Sequence, residues 1–132
     1  MESVKQLPIS NLVSPPLVVG ESTTISKVVG ILKKEDAYEV FTQDRGRVGM
    51  VMIRDILKSW NVATDKVETL VFTAPRLPPR APLSEAARLM MQNRIRSLPV
   101  VEGDRLLGSV TATSIIQAIP LSALEKYRAQ DI

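Results

Sequence analysis

The chain contains no cysteine and no histidine in its 132 residues. The first absence excludes disulfides and thiolate-held metals. The second removes the commonest metal ligand and the commonest acid/base side chain. Catalysis would then need a lysine or a tuned carboxylate pair, and no Asp/Glu pair sits in an apolar setting that would separate two pKa values. No Gly-x-x-x-x-Gly-Lys phosphate loop occurs. Neither an enzyme nor a metal site is expected. No stretch approaches the ~20 apolar residues that span a bilayer. Met1-Glu2-Ser3-Val4-Lys5 lacks the charged start and apolar run of a secretory signal, so a cytoplasmic location is the expectation. There is no block of five like charges, and a net charge of +3 is too small to point to nucleic acid by itself.

What is present is an ordinary soluble balance, 45% apolar and 23% charged. A globule of this length buries roughly two thirds of its unfolded surface, enough for a core. One compact domain, or two small halves sharing a core, is expected. The informative feature is a duplication. Gly49-Met50-Val51-Met52-Ile53-Arg54-Asp55-Ile56-Leu57 recurs loosely, 59 residues on, as Gly108-Ser109-Val110-Thr111-Ala112-Thr113-Ser114-Ile115-Ile116. A repeat of this size does not easily bury its own hydrophobic face, so the copies should pack together. A cleft at such a junction is a natural ligand site.

Both copies follow one order: strand, helix, strand, strand, helix. In the second, Leu83, Ala86, Ala87, Met90 and Met91 fall on one helical face, Pro82 precedes it and Ser84 can cap it. Leu98-Pro99-Val100-Val101 reads as a buried strand, Glu102-Gly103-Asp104-Arg105 as a turn, and Leu106 to Thr111 as the returning strand. A helix over Ser114 to Ile119 stops before Pro120. In the first, Ile25, Val28, Val29 and Leu32 mark the helix, with Thr24 or Ser26 near its cap. Tyr38 to Thr42 and Val48 to Met52 form the hairpin about the turn at Gln43-Asp44-Arg45-Gly46, and Asp55 to Trp60 begins the last helix. One residue is expected to be inserted in the second copy between its helix and first strand. Each copy opens on a proline-bearing segment, Val13-Ser14-Pro15-Pro16 and Phe72-Thr73-Ala74-Pro75. The connector from Ala63 to Val71 has partly helical character. Prolines at 78, 79 and 82 keep Leu77 to Leu83 extended, and Leu121 to Tyr127 reads as a C-terminal helix.

This order, and above all Ser97-Leu98-Pro99-Val100-Val101-Glu102-Gly103-Asp104-Arg105-Leu106-Leu107-Gly108-Ser109-Val110-Thr111, resembles the cystathionine β-synthase (CBS) domain, here as a tandem pair, or Bateman module. The likeness spans about residues 10 to 120. It is weaker in the first copy, where Glu39-Val40-Phe41-Thr42 stands in place of the family's Leu-Pro-Val-Val. The expected fold is therefore α/β, two β-α-β-β-α repeats packed with pseudo-twofold symmetry. Repeat one covers 10–60, a connector 61–71, repeat two 72–120 and a C-terminal helix 121–132. The resemblance implies a regulatory module that binds an adenosyl ligand. AMP is the leading candidate, with ADP, ATP and S-adenosylmethionine as the others. It also implies a homodimer, and an unidentified protein partner regulated in trans because no effector domain is attached.

The resemblance further implies ligand between the repeats, with a Gly-h-h-Thr-x-x-Asp segment (h, apolar) of one repeat on ribose and phosphate. Carried over, it gives two clefts. One joins Asp55 to Ile95, Arg96, Ser97, Leu98 and Pro99, with Ala86 leaving room for adenine. The other joins Thr111, Thr113 and Ser114 to Ala37, Tyr38 and Glu39. The copies have divided the motif, since Met52 replaces the threonine in one and Ser114 the aspartate in the other. A carboxylate accepts hydrogen bonds from both ribose hydroxyls, which a serine does not match. Arg96 presents a fork of donors to a phosphate, whereas Glu39 would repel one. The Asp55/Arg96 cleft is favoured.

Structural roles stand beside these. Asp55 as an N-cap or first-turn residue stabilises a helix without any ligand, and both roles can hold. Arg96 can be a solvated arginine. Thr111 and Thr113 suit a strand end and a cap, and Tyr38 suits a half-buried strand. Met90 and Met91 read as core filler. Gly49 and Gly108 read as sites of close packing or a bulge, and Trp60 as core or dimer contact. A ligand-free dimerisation scaffold is the alternative function. Weak nucleic-acid binding through Arg76, Arg80, Arg88, Arg94 and Arg96 is a third.

Overall fold

The computed structural model describes residues 2–44, 46–58, 65–120 and 122. Trp60, the C-terminal helix, Arg45 of the first turn and the first part of the connector lie outside the described residues. The elements are α1 (Glu2–Gln6), α2 (Ile25–Glu35), β1 (Glu39–Asp44), β2 (Arg47–Met52), α3 (Ile53–Lys58), β3 (Phe72–Thr73), α4 (Leu83–Asn93), β4 (Ser97–Glu102), β5 (Arg105–Thr111) and α5 (Ala112–Ala118). Short 3-10 turns cover Ile9–Leu12 and Val67–Thr69. The chain is mixed α/β and forms two compact units. One comprises Pro15–Ala74 with Gly103–Leu106. The other comprises Met1–Ser14, Pro75–Glu102 and Leu107–Ile132.

In the first-repeat unit, Ile25, Val28 and Leu32 recur along one face of α2 and are buried. Thr24, not Ser26, is the N-cap, its Oγ1 accepting the Lys27 N–H at 3.2 Å. β1 and β2 pair antiparallel from Glu39↔Met52 to Asp44↔Arg47, leaving a two-residue connection in which Gly46 takes φ +77°. The two-residue period then sorts the strands. Val40 and Val51 join Val19, Ile25, Val28, Leu32, Ile56 and Val67 in one core, while Phe41 and Met50 join Ala74 in another. The tip of the second hairpin belongs to this unit: the Gln43 side-chain amide donates to the Asp104 carbonyl at 2.7 Å, and Leu106 packs against the Phe41 cluster.

In the second-repeat unit, α4 buries Leu83, Ala86 and Met90, as their spacing predicts, but Met91 is 80% exposed. It is not core. At about 100° per residue the three buried positions span only about 60°, and Met91 falls about 80° beyond Leu83. Ser84 does not cap this helix. The N-cap is Pro82, without a side-chain cap, and the Leu83 N–H instead donates to the Leu7 carbonyl at 2.8 Å. The N-terminal segment thus supplies what the expected serine does not. On α4 the Arg88 guanidinium grips Glu85 and also reaches Gln92. This holds the Glu85 carboxyl below its usual range and raises Arg88.

The inserted residue also lies elsewhere than expected. Both long helices close on a left-handed residue, Asp36 (φ 52°) and Arg94 (φ 54°). Equivalent bonds follow at a spacing of 58, Ala37 N–H to Leu32 and Ile95 N–H to Met90. The strands of the hairpin still start at a spacing of 58, the spacing becomes 59 within the return strand, and β5 has seven residues against six in β2. Identical helix caps leave no room for an insertion there, so the hairpin absorbs it.

The opening segments trade places. Ser14 and Ser109 exchange N–H···O bonds of 2.9 and 3.0 Å in the second-repeat unit, whereas Phe72–Thr73 pairs with Met50 and Gly49 in the first. Glycine permits both contacts. A Cβ on Gly108 would overlap the Ser14 carbonyl oxygen and Val13, and one on Gly49 would overlap Val71 and the Thr42 hydroxyl. Gly108→Ala and Gly49→Ala should each lower unfolding free energy by about 1–3 kcal/mol. Gly30→Ala, where a Cβ meets nothing within 4 Å on α2, should raise it by about 0.5–1 kcal/mol. Urea melts of the three variants measure this, and equal effects at Gly108 and Gly30 would remove the close-approach constraint.

Candidate functional site

Each hairpin runs into its helix without a loop, Met52 into Ile53 and Thr111 into Ala112. The first helical N–H is tied back across the hairpin. Ile53 donates to the Tyr38 carbonyl and Ala112 to the Arg96 carbonyl, both at 2.8 Å. The segment before each first strand therefore lies against the start of the following helix.

Asp55 is the third residue of α3, in its first turn and not at its N-cap. Its side chain is 25% exposed and faces the Arg54 guanidinium at 3.7 Å, with Arg54 49% exposed. That separation is an ion pair but too long for a hydrogen bond, so the carboxylate retains its acceptor capacity. Asp55 lines an open cavity of about 400 Å³ with Arg54, Lys58, Thr69, Leu70 and Phe72. The second-repeat unit builds the counterpart, about 320 Å³, from Asn11, Leu12, Val13, Ser14, Ser114, Gln117 and Ala118. The two are equivalent by spacing: Ser114 corresponds to Asp55, Gln117 to Lys58, Leu12 to Leu70 and Ser14 to Phe72.

Their chemistry differs. On the wall of the second cavity the Ser114 hydroxyl is already engaged with Thr111 in a capping box. Thr111 Oγ1 accepts the Ser114 N–H at 3.1 Å, and Ser114 Oγ accepts the Thr111 N–H at 3.2 Å. Thr113 is exposed. In the first cavity, no hydrogen bond from the described residues reaches Asp55.

The other expected site residues divide by unit. Tyr38 shares its unit with Asp55, but it lines a separate apolar groove of about 270 Å³ with Val29, Ile53, Ile56 and Leu57. Ala86, Ile95, Ser97, Leu98 and Pro99 belong to the other unit and are buried, while Arg96 is exposed. Ser97 is 1% exposed and its hydroxyl has no hydrogen-bond partner among the described residues, an arrangement that costs about 1–3 kcal/mol. Arg54, Lys58, Thr69, Leu70 and Phe72 escaped sequence reasoning. The spacing of Arg54 and Lys58 on one helix face was a usable signal. Phe72 had none, because it arrives from the opening segment of the other repeat.

Two stretches, residues 4–61 and 68–121, each match the family model for the CBS domain. The chain belongs to the CBS domain family. It is a tandem pair, and solved CBS structures share its fold. A CBS-domain-containing protein from Thermotoga maritima superposes with a TM-score of 0.77 at 20% identity, over 86% of this chain and 94% of that one. The CBS domain pair of protein MJ0100, in complex with methylthioadenosine and S-adenosyl-L-methionine, gives 0.75 at 23%, over 83% and 93%. A hexameric CBS-CP12 protein from bloom-forming cyanobacteria gives 0.74 at 23%, over 83% and 69%. No curated protein matches the sequence.

For the CBS pair, Thr111→Ala should cost about 1 kcal/mol through loss of the α5 cap. Urea denaturation would show it, and an unchanged midpoint would mean that the capping box contributes nothing.

Proposed function

We propose that this CBS pair is a regulatory module that binds an adenosyl ligand, with AMP first among AMP, ADP, ATP and S-adenosylmethionine, and signals to a partner protein in trans. The carrying observation is Asp55: a largely buried carboxylate with spare acceptor capacity, in a cavity with an aromatic wall at Phe72. A carboxylate in that state suits a ribose diol, because it accepts from both hydroxyls at once. The adenosyl compounds bound by the MJ0100 pair support the ligand class. From the family resemblance, Arg96, and with it Ala86, Ile95, Ser97, Leu98 and Pro99, are proposed as further ligand contacts in the second-repeat unit. Since the last five are buried, their contribution is backbone and shape, plus the Ser97 hydroxyl, which has no partner among the described residues. Tyr38, Thr111, Thr113 and Ser114 form the weaker second set. The module acts by binding and not by catalysis. A ligand shifts the pair between states only by its differential affinity for them.

A ligand-free scaffold is the second proposal, and one observation favours it. Leu57, Met91 and Ile116 are large apolar side chains left exposed on helices α3, α4 and α5, as a helix-mediated homodimer would require. A cytoplasmic location is also proposed. Among the described residues no helix is long and apolar enough to cross a membrane.

Thermal melts with each adenosyl ligand separate these proposals. At about 100-fold excess over Kd, binding adds roughly 2.7 kcal/mol and raises Tm by several degrees. No shift with any of them would leave the scaffold. Asp55→Ala should lose about 1.5–3 kcal/mol of binding, or on the order of 10- to 150-fold in Kd. An unchanged Kd in the folded variant would move the ribose contact elsewhere.

A further inference from the structure

The two equivalent cavities have diverged in charge at matching positions. Around Asp55, α3 supplies Arg54 and Lys58, two cations against one carboxylate. At the corresponding positions α5 has Thr113 and Gln117, and the described residues that line the cavity there are all neutral, Asn11, Ser14, Ser114 and Gln117 among them. Phe72, which can lie against a flat ring, is matched there by Ser14.

Resting on the adenosyl-ligand proposal above, we infer that the Asp55 cavity is the single nucleotide site of the chain, and that Arg54 and Lys58 select for a phosphate-bearing ligand. Among the described residues neither is held firmly by a competing partner. The Arg54–Asp55 pair is long and half-exposed, and such surface pairs contribute little. Ribose hydroxyls can therefore occupy the carboxylate while Arg54 turns to an anion. Lys58, one helical turn from Arg54, faces the same cavity. Uncharged adenosine or methylthioadenosine meets the carboxylate but leaves both cations unanswered. S-Adenosylmethionine brings a net positive charge toward them. Among the described residues the second cavity has no cation for a phosphate and no carboxylate for a diol, and Ser114 is committed to its helix cap.

Isothermal titration of the full chain with AMP, adenosine and S-adenosylmethionine tests this. The expected result is one AMP per chain, bound at least about tenfold more tightly than adenosine. Rising salt should weaken AMP binding and leave adenosine nearly untouched. In Arg54→Gln/Lys58→Gln the AMP-to-adenosine ratio should collapse toward one. Both side chains are exposed, and single Lys58→Gln serves if the double variant does not fold. Equal affinities for AMP and adenosine, two AMP per chain, or a ratio retained in the variants would overturn the inference while leaving adenosyl binding in place. Failure of all three ligands to bind would instead remove the proposal beneath it.

Discussion

There is no room for a side chain at Gly49, against Val71 and the Thr42 hydroxyl, or at Gly108, against the Ser14 backbone and Val13, and much of the structure follows from that. A side chain at either position would overlap the segment that docks there. With the side chain absent, Phe72–Thr73 completes the three-stranded sheet of one unit and Ser14 bridges to Ser109 in the other. The same docking builds the cavities. Thr69, Leu70 and Phe72 reach the Asp55 cavity because their segment pairs with β2, and Val13 and Ser14 line the other because theirs meets β5. One missing Cβ in each repeat thus governs both the sheet edge and the wall of the site.

Once the walls exist, the helix that follows each hairpin decides their use. In α5, Thr111 and Ser114 satisfy each other and the first turn of the helix. This stabilises the helix and engages both hydroxyls within the chain. In α3 the equivalent of Ser114 is Asp55, whose carboxylate meets only a distant arginine among the described residues. Groups left short of partners tend to mark sites where stability is given up for function. The repeats share a fold and have diverged in exchangeable polar positions along one helix face.

Much of this was legible in the sequence, and the failures have physical causes. Ile25, Val28 and Leu32, like Leu83, Ala86 and Met90, announce their helices because a periodic face has one buried solution. Met91 sits at the edge of that arc, where periodicity alone does not decide. Ser84 looked like a cap because capping is normally local. The group that answers the α4 N-terminus is instead the Leu7 carbonyl, distant in sequence. The exchange of opening segments rests on backbone pairs such as Ser14 with Ser109, and backbone pairing leaves little trace in side-chain pattern. Asp55 drew notice through its motif, and it lines a cavity. Arg54 and Lys58 were obscured by that same motif, which directed attention to residues beyond the repeat.

The composition of the Asp55 cavity also bears on how occupancy could be felt elsewhere. Its walls come from two stretches of chain, 54–58 on α3 and 69–72 at the end of the connector. Anything that bridges them joins a helix to a segment it otherwise meets only through packing. Val67 is fully buried in the first-repeat core, and Ala74 closes the Phe41 cluster, so the second stretch is anchored at both ends within this unit. At Pro75 the chain passes into the other unit. A ligand that favours one arrangement of 69–72 therefore acts on the segment that leads directly out of the unit. Such a ligand needs no contact with a distant surface to have an effect, only a difference in affinity between arrangements of that short stretch.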